Sequence, residues 1–133
     1  RRIGSVSSHD ISLPLSVIST FIDEARVEIS KLGNFRINCF GHLGDGNLHF
    51  NIFPNKGEKR EDYNHIRPEI KKTIHDLVHL HGGSVSAEHG IGRLKINDLV
   101  KYSDPVKLKL NKSIKAVMDP KGILNPGVIF ASN

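Results

Sequence analysis

RINCFGHLGDGNLHFNIF, residues 36–53, sets two short apolar–polar alternations on either side of Gly44-Asp45-Gly46-Asn47. Alternation with β-branched and aromatic side chains predicts a strand from Arg36 to His42 and another from Leu48 to Phe53. Asp-Gly is a preferred central pair for a two-residue hairpin turn, because both positions need positive φ. With Asp45-Gly46 as that pair, Gly44 faces Asn47, Leu43 faces Leu48, His42 faces His49, Phe40 faces Asn51 and Cys39 faces Ile52. Opposed residues place their Cβ atoms about 4.5–5.5 Å apart, near enough for two imidazoles to share one cation. The alternative is a surface pair of histidines with no ligand. Alternation puts Ile37, Cys39, Leu43, Leu48, Phe50 and Ile52 on one face, toward helices. Arg36, Asn38, His42, Asn47, His49 and Asn51 fall on the other, with Phe40 and Phe53 among them, a face polar enough to be either wet or a site.

Upstream, Ile3 to Leu13 reads as a strand ending at Pro14. Val17, Ile18, Phe21, Ile22, Ala25, Ile29 and Leu32 then recur at helical spacing, with Gly33 as the stop. Downstream, Ile66, Ile70, Ile74 and Leu77 mark a second helix from about Asp62 to His81. A short strand and a glycine-rich loop follow in SVSAEHGIG, then helical stretches at Arg93–Lys101 and Pro105–Met118, and two turns in DPKGILNPG. This order predicts an α+β fold, an antiparallel sheet with helices on one face in the ferredoxin-like manner. His75 and His79 fall opposite the aliphatic stripe and are expected at solvent, while His65 and His81 sit near the helix ends.

The chain of 133 residues is long enough for one domain, and its 38% hydrophobic content marks it as globular. One cysteine, Cys39, excludes an internal disulfide and a multi-cysteine metal site. No apolar run is long enough to span a membrane. A net charge of +5 invites a nucleic-acid reading, but the 19 Lys and Arg are scattered and lack interleaved aromatics. A solvated basic surface is the better reading, with attraction of small organic anions a second use of that charge. The chain starts without Met, directly in a strand-like stretch, as a piece of a longer protein would.

The second glycine-rich stretch, SAEHGIGRLK at residues 86–95, supplies a carboxylate. Two imidazoles and one carboxylate, His42, His49 and Glu88, make a three-ligand set with open positions, the pattern of a catalytic zinc site. His89 cannot easily point the same way as Glu88 and is free to act as a base. Glu88 as a cap or ion-pair partner, and Gly90-Ile91-Gly92 as a phosphate cradle, are competing readings. The stretch lacks the spacing of a dinucleotide fingerprint and the Lys-Ser/Thr of a P-loop.

GHLGDGNLHFNI, SAEHGIGRLK and DPKGILNPG, in that order and preceded by HDISLPLS, resemble the C-terminal domain of FAD-linked oxidases of the vanillyl-alcohol oxidase superfamily. The similar branch holds D-lactate dehydrogenase, the glycolate oxidase flavoprotein subunit and D-2-hydroxyglutarate dehydrogenase. The resemblance implies that residues 1–133 are the metal- and substrate-binding domain of a larger flavoenzyme. FAD would sit mainly on an N-terminal domain outside this chain, without which the chain is expected to be inactive. It further implies a divalent metal, usually zinc, on His42, His49 and Glu88, a substrate contact at Asn47, and His89 as the base. The reaction implied is oxidation of a D-2-hydroxy acid, with the flavin then reduced and an electron acceptor as further partner. A homo-oligomer is compatible with it. Relatives often carry a lysine just before the His-Asp of the opening strand, where this chain has Ser8. A bacterial protein of this kind would be cytoplasmic and a eukaryotic one would lie in the mitochondrial matrix. The competing functions are a noncatalytic anion-binding module and a freestanding metal-dependent hydrolase.

Overall fold

The computed structural model describes residues 4–131, with Leu43 described by its backbone alone; Ile3, the first residue of the expected opening strand, lies outside this range. The chain forms two compact units, Arg1–Glu88 and His89–Asn133.

In the first unit the order is β1 (Ser7–Ser12), α1 (Ile18–Leu32), β2 (Arg36–Phe40), β3 (Asn47–Phe53) and α2 (Arg67–Leu80). The three strands form one antiparallel sheet in the order β1-β3-β2. β2 and β3 pair as neighbours in sequence, and β1 takes the other side of β3, so α1 carries the chain over an inserted strand. This is the split arrangement of a ferredoxin-like α+β fold. The fourth strand expected at SVS is reduced to a single antiparallel bridge between Ser84 and Ser12 on the outer side of β1. Ser84 Oγ bonds instead to the backbone of Ser86, as donor to its carbonyl at 3.0 Å and acceptor from its N–H at 3.3 Å. Such local bonds compete with a strand ladder.

The core lies between the sheet and the two helices. Ile18, Phe21, Ala25 and Ile29 of α1, at helical spacing, are buried against Leu48, Phe50 and Ile52 of β3 and Val6 and Ile11 from the β1 side. Phe21 meets Phe50 edge-on, ring centroids 5.8 Å apart. α2 begins at Arg67, five residues later than its aliphatic pattern suggested. Pro68 lacks an N–H and belongs in a first turn, so the preceding residues Arg60–Tyr63 form a separate 3-10 turn.

His75 differs from expectation: it is buried, 2% exposed, not at solvent. α2 packs on both α1 and β1, so its buried face is wider than the row Ile70, Ile74 and Val78. The His75 ring stands edge-on to His9 of β1, with Nε2 3.3 Å from His9 Nδ1. His9 Nε2 in turn meets Ser7 Oγ at 2.8 Å. His79 and His65 are exposed. His81 caps the end of α2 and pairs with Glu24 of α1 at 2.7 Å.

The second unit holds α3 (Ile96–Tyr102) and α4 (Pro105–Met118). α4 starts on Asp104, whose side chain accepts the Lys107 N–H at 2.8 Å, with Pro105 in the first turn. It ends at Asp119, which organises the DPKGILNPG turn. Its carboxylate accepts from Lys115 Nζ at 2.6 Å and from the N–H groups of Ile123 and Leu124 at 3.0 and 2.9 Å. These bonds, the Lys115 one foremost, hold its pKa below the ordinary 3.8 against the upward push of burial. A lowered carboxylate pKa adds stability that is complete above the ordinary value and is lost as pH falls through the folded one. Asp119→Asn should therefore melt earlier than wild type from neutral pH down to about 5. The gap should close as the pH drops below 3.8, as thermal melts across that range would show.

Candidate functional site

The reversal between β2 and β3 is wider than a two-residue turn. The His42 carbonyl accepts the N–H of Asp45 at 3.0 Å and of Asn47 at 3.2 Å, winding Leu43–Asp45 into a 3-10 turn. The ladder therefore closes at Phe40 opposite His49, with Cys39 opposite Phe50, instead of the expected Phe40 opposite Asn51. The register is displaced by two residues. Because side chains alternate with period two, that displacement leaves each paired strand residue on its expected face, while the side chain of Leu43, expected on the core face, lies outside the described residues. Leu48, Phe50 and Ile52 stay in the core, and His49 and Asn51 stay on the polar side.

Two glycines make the loop possible. Gly46 has φ +67, and a Cβ there would overlap the carbonyl oxygen of Leu13, whose own N–H donates to the Gly46 carbonyl at 2.9 Å. A Cβ on Gly41 would overlap the carbonyl of Asn47. Both positions allow close backbone approach, whereas Gly44 faces open space.

His42 is thus a loop residue beyond the last strand pair, not directly opposite His49, yet the two rings approach with centroids 6.4 Å apart at 78°. Glu88 joins them: its Oε1 lies 3.5 Å from His42 Nε2 and 3.4 Å from His49 Nε2. One donor atom from each of the three lies within 4.8 Å of the others. Their side-chain exposure grades from 19% at His49 through 45% at Glu88 to 66% at His42, so the cluster is anchored at one end and open at the other.

Beneath it lies a residue that the sequence reading passed over. Asp10 of β1, 5% exposed, accepts the Asn47 side-chain N–H at 3.1 Å through Oδ1 and the Glu88 backbone N–H at 3.0 Å through Oδ2. Its carbonyl accepts the Ala87 N–H at 3.3 Å, and Oδ1 stands 4.0 Å from His49 Nδ1. A sequence signal existed: aspartate is depleted in strands, and this one sits among buried neighbours. Asn47 is buried, and its Oδ1 has no hydrogen-bond partner among the described residues. His89 follows Glu88 at the start of the second unit and is exposed. Burial raises the pKa of the Cys39 thiol, with Arg26 pulling weakly the other way, which makes Cys39 a poor nucleophile.

The model of the family described as FAD linked oxidases, C-terminal domain, matches residues 2–129, and the chain belongs to that family. A D-2-hydroxyglutarate dehydrogenase of Stutzerimonas stutzeri is 37% identical over 126 residues, 93% of this chain and 27% of that protein. A mitochondrial D-2-hydroxyglutarate dehydrogenase of Arabidopsis thaliana is 38% identical over 127 residues, 95% of this chain and 21% of that protein. An uncharacterized FAD-linked oxidoreductase of Mycobacterium tuberculosis is 35% identical over 130 residues, 98% of this chain and 27% of that protein. The chain thus spans about a quarter of the length of these relatives. Among the described residues no helix is long and apolar enough to cross a membrane.

The loop geometry makes a paired prediction. Gly46→Ala should lose more than about 1 kcal/mol of stability, from a strained φ and the clash with Leu13. Gly44→Ala, in open space, should change it by less than about 0.5 kcal/mol. Denaturant unfolding of the two variants reads the difference.

Proposed function

We propose that this chain is the substrate-side domain of an FAD-dependent enzyme that oxidises a D-2-hydroxy acid, of the lactate, glycolate or 2-hydroxyglutarate type, to the 2-oxo acid. Within it, His42, His49 and Glu88 would hold a divalent metal, with zinc the best match to two imidazoles and a carboxylate. The observation that carries this reading is the donor spacing. Two ligands about 2.0–2.1 Å from a tetrahedral ion stand about 3.4 Å apart, and the two nitrogens lie 3.5 and 3.4 Å from Glu88 Oε1.

When bound, such an ion supplies Lewis acidity that lowers the pKa of a substrate hydroxyl, and the flavin supplies a hydride acceptor. The chain's own residues do the rest. His89 takes the hydroxyl proton as general base. Asn47 contacts the substrate, and its unsatisfied Oδ1 supports a place where a bound molecule completes the hydrogen bonding. Val106, Leu110, Ile114 and Val117 form one exposed apolar row on α4, a surface suited to packing on the flavin-bearing part of the enzyme. The mitochondrial name of the Arabidopsis relative supports a mitochondrial place for a eukaryotic protein of this kind.

Metal analysis should find about one zinc per chain, lost in the His42→Ala/His49→Ala double variant. Unchanged metal content in that variant would overturn the ligand assignment. In the full-length enzyme, His89→Ala should retain the metal and cut turnover by about 10²–10⁴-fold, measured as flavin reduction by a D-2-hydroxy acid.

A further inference from the structure

Asp10 stands behind His49 and Glu88 of the cluster without being part of it. Its two carboxylate oxygens accept from Asn47 at the start of β3 and from the backbone of Glu88, and Oδ1 also faces Nδ1 of His49. The two ring nitrogens of His49 meet different carboxylates, Nδ1 the buried Asp10 and Nε2 the exposed Glu88. We propose that Asp10 is the positioning residue of the centre, its buried carboxylate keeping the His49 proton on Nδ1 so that the Nε2 lone pair is the one offered to a cation.

The argument is electrostatic. A neutral imidazole carries one N–H, and the tautomer is set by what each nitrogen faces. At 4.0 Å the carboxylate is beyond hydrogen-bond length, but a negative charge 5% exposed acts through a medium far less screening than water. A proton on Nδ1 is attracted to Asp10, and a lone pair there would be repelled. The same charge holds Asn47 and Glu88 through charge-assisted hydrogen bonds, so one group fixes the orientation of one ligand and the backbone of another. Outer groups of this kind change metal affinity by about 10–100-fold when removed.

This inference rests on the metal-site reading above, and the test separates the two. Asp10→Asn keeps the size but places an amide N–H₂ against donors, so it removes the charge and spoils one of the hydrogen bonds. Two measurements on the full chain are decisive: imidazole ¹⁵N spectra at mildly alkaline pH without metal, reading the His49 tautomer, and a Zn²⁺ titration. Wild type should show His49 protonated on Nδ1. The variant should shift toward Nε2–H and bind Zn²⁺ about 10–100-fold more weakly per folded molecule. A purely structural Asp10 would instead lower the melting temperature and leave tautomer and affinity unchanged, which overturns the proposal. His75→Asn, which disturbs the His9–His75 contact of α2 with β1, should lower stability with the wild-type tautomer retained. If Asp10→Asn fails to fold, the wild-type spectrum still decides, since a His49 protonated on Nε2 contradicts the assignment. Wild-type chain that binds no Zn²⁺ but shows the Nδ1 tautomer sinks the metal reading and leaves the role of Asp10 standing.

Discussion

A carboxylate buried in the middle of a strand must collect hydrogen bonds or unfold the strand, and Asp10 collects its bonds from two separate stretches of chain. Asn47 begins β3, Ala87 and Glu88 end the segment outside β1, and each donates to Asp10 through side chain or backbone. Leaving such a charge unpartnered would cost several kcal/mol, so β1 and these two stretches are bound to meet where they do. The cluster of His42, His49 and Glu88 is a consequence of this meeting. Neither the hairpin nor the 84–88 segment would place its ligands without β1 between them.

The sheet supplies the second constraint. β3 sits between β1 and β2, so its core-side residues Leu48, Phe50 and Ile52 are buried against the helices while His49 emerges on the far side. On β1 the same alternation sends His9 inward to His75 and Asp10 toward His49. Adjacent residues of one strand thus serve opposite purposes, one joining the sheet to α2 and the other holding the site. Within this unit α1 and α2 cover one face of the sheet, and His49 emerges on the other.

How much of this the sequence disclosed follows from what is local. The period of Ile18, Phe21, Ala25 and Ile29 located α1 almost to the residue, and Pro105 fixed the start of α4, because both signals act within a turn or two. The α+β order and the face of each strand residue were legible for the same reason. Register was not, since Asp45-Gly46 suits a two-residue turn locally while the real loop answers to Leu13, a residue more than thirty positions away. The error of two preserved the faces, and for that reason His49 still emerges toward Glu88, 3.4 Å from its Oε1, even though His42 does not face His49 across the ladder. Burial of His75 and the role of Asp10 were missed because each depends on a partner distant in sequence, His9 in one case and Asn47 and Glu88 in the other.

The gradient of exposure across the cluster bears on what kind of centre it is. A structural zinc site closes four protein ligands around the ion and buries them, since any open position wastes binding energy that folding could use. Here three donors converge, His49 is held from below, and His42 and Glu88 lie open on the other side. An ion held this way would keep positions for small oxygen ligands, such as the hydroxyl and carboxylate of the proposed 2-hydroxy acid. The same three residues would equally suit a hydrolytic water. What favours the oxidative reading is the family to which the chain belongs: its members are FAD-linked oxidases, and a flavin gives the electrons of an alcohol somewhere to go.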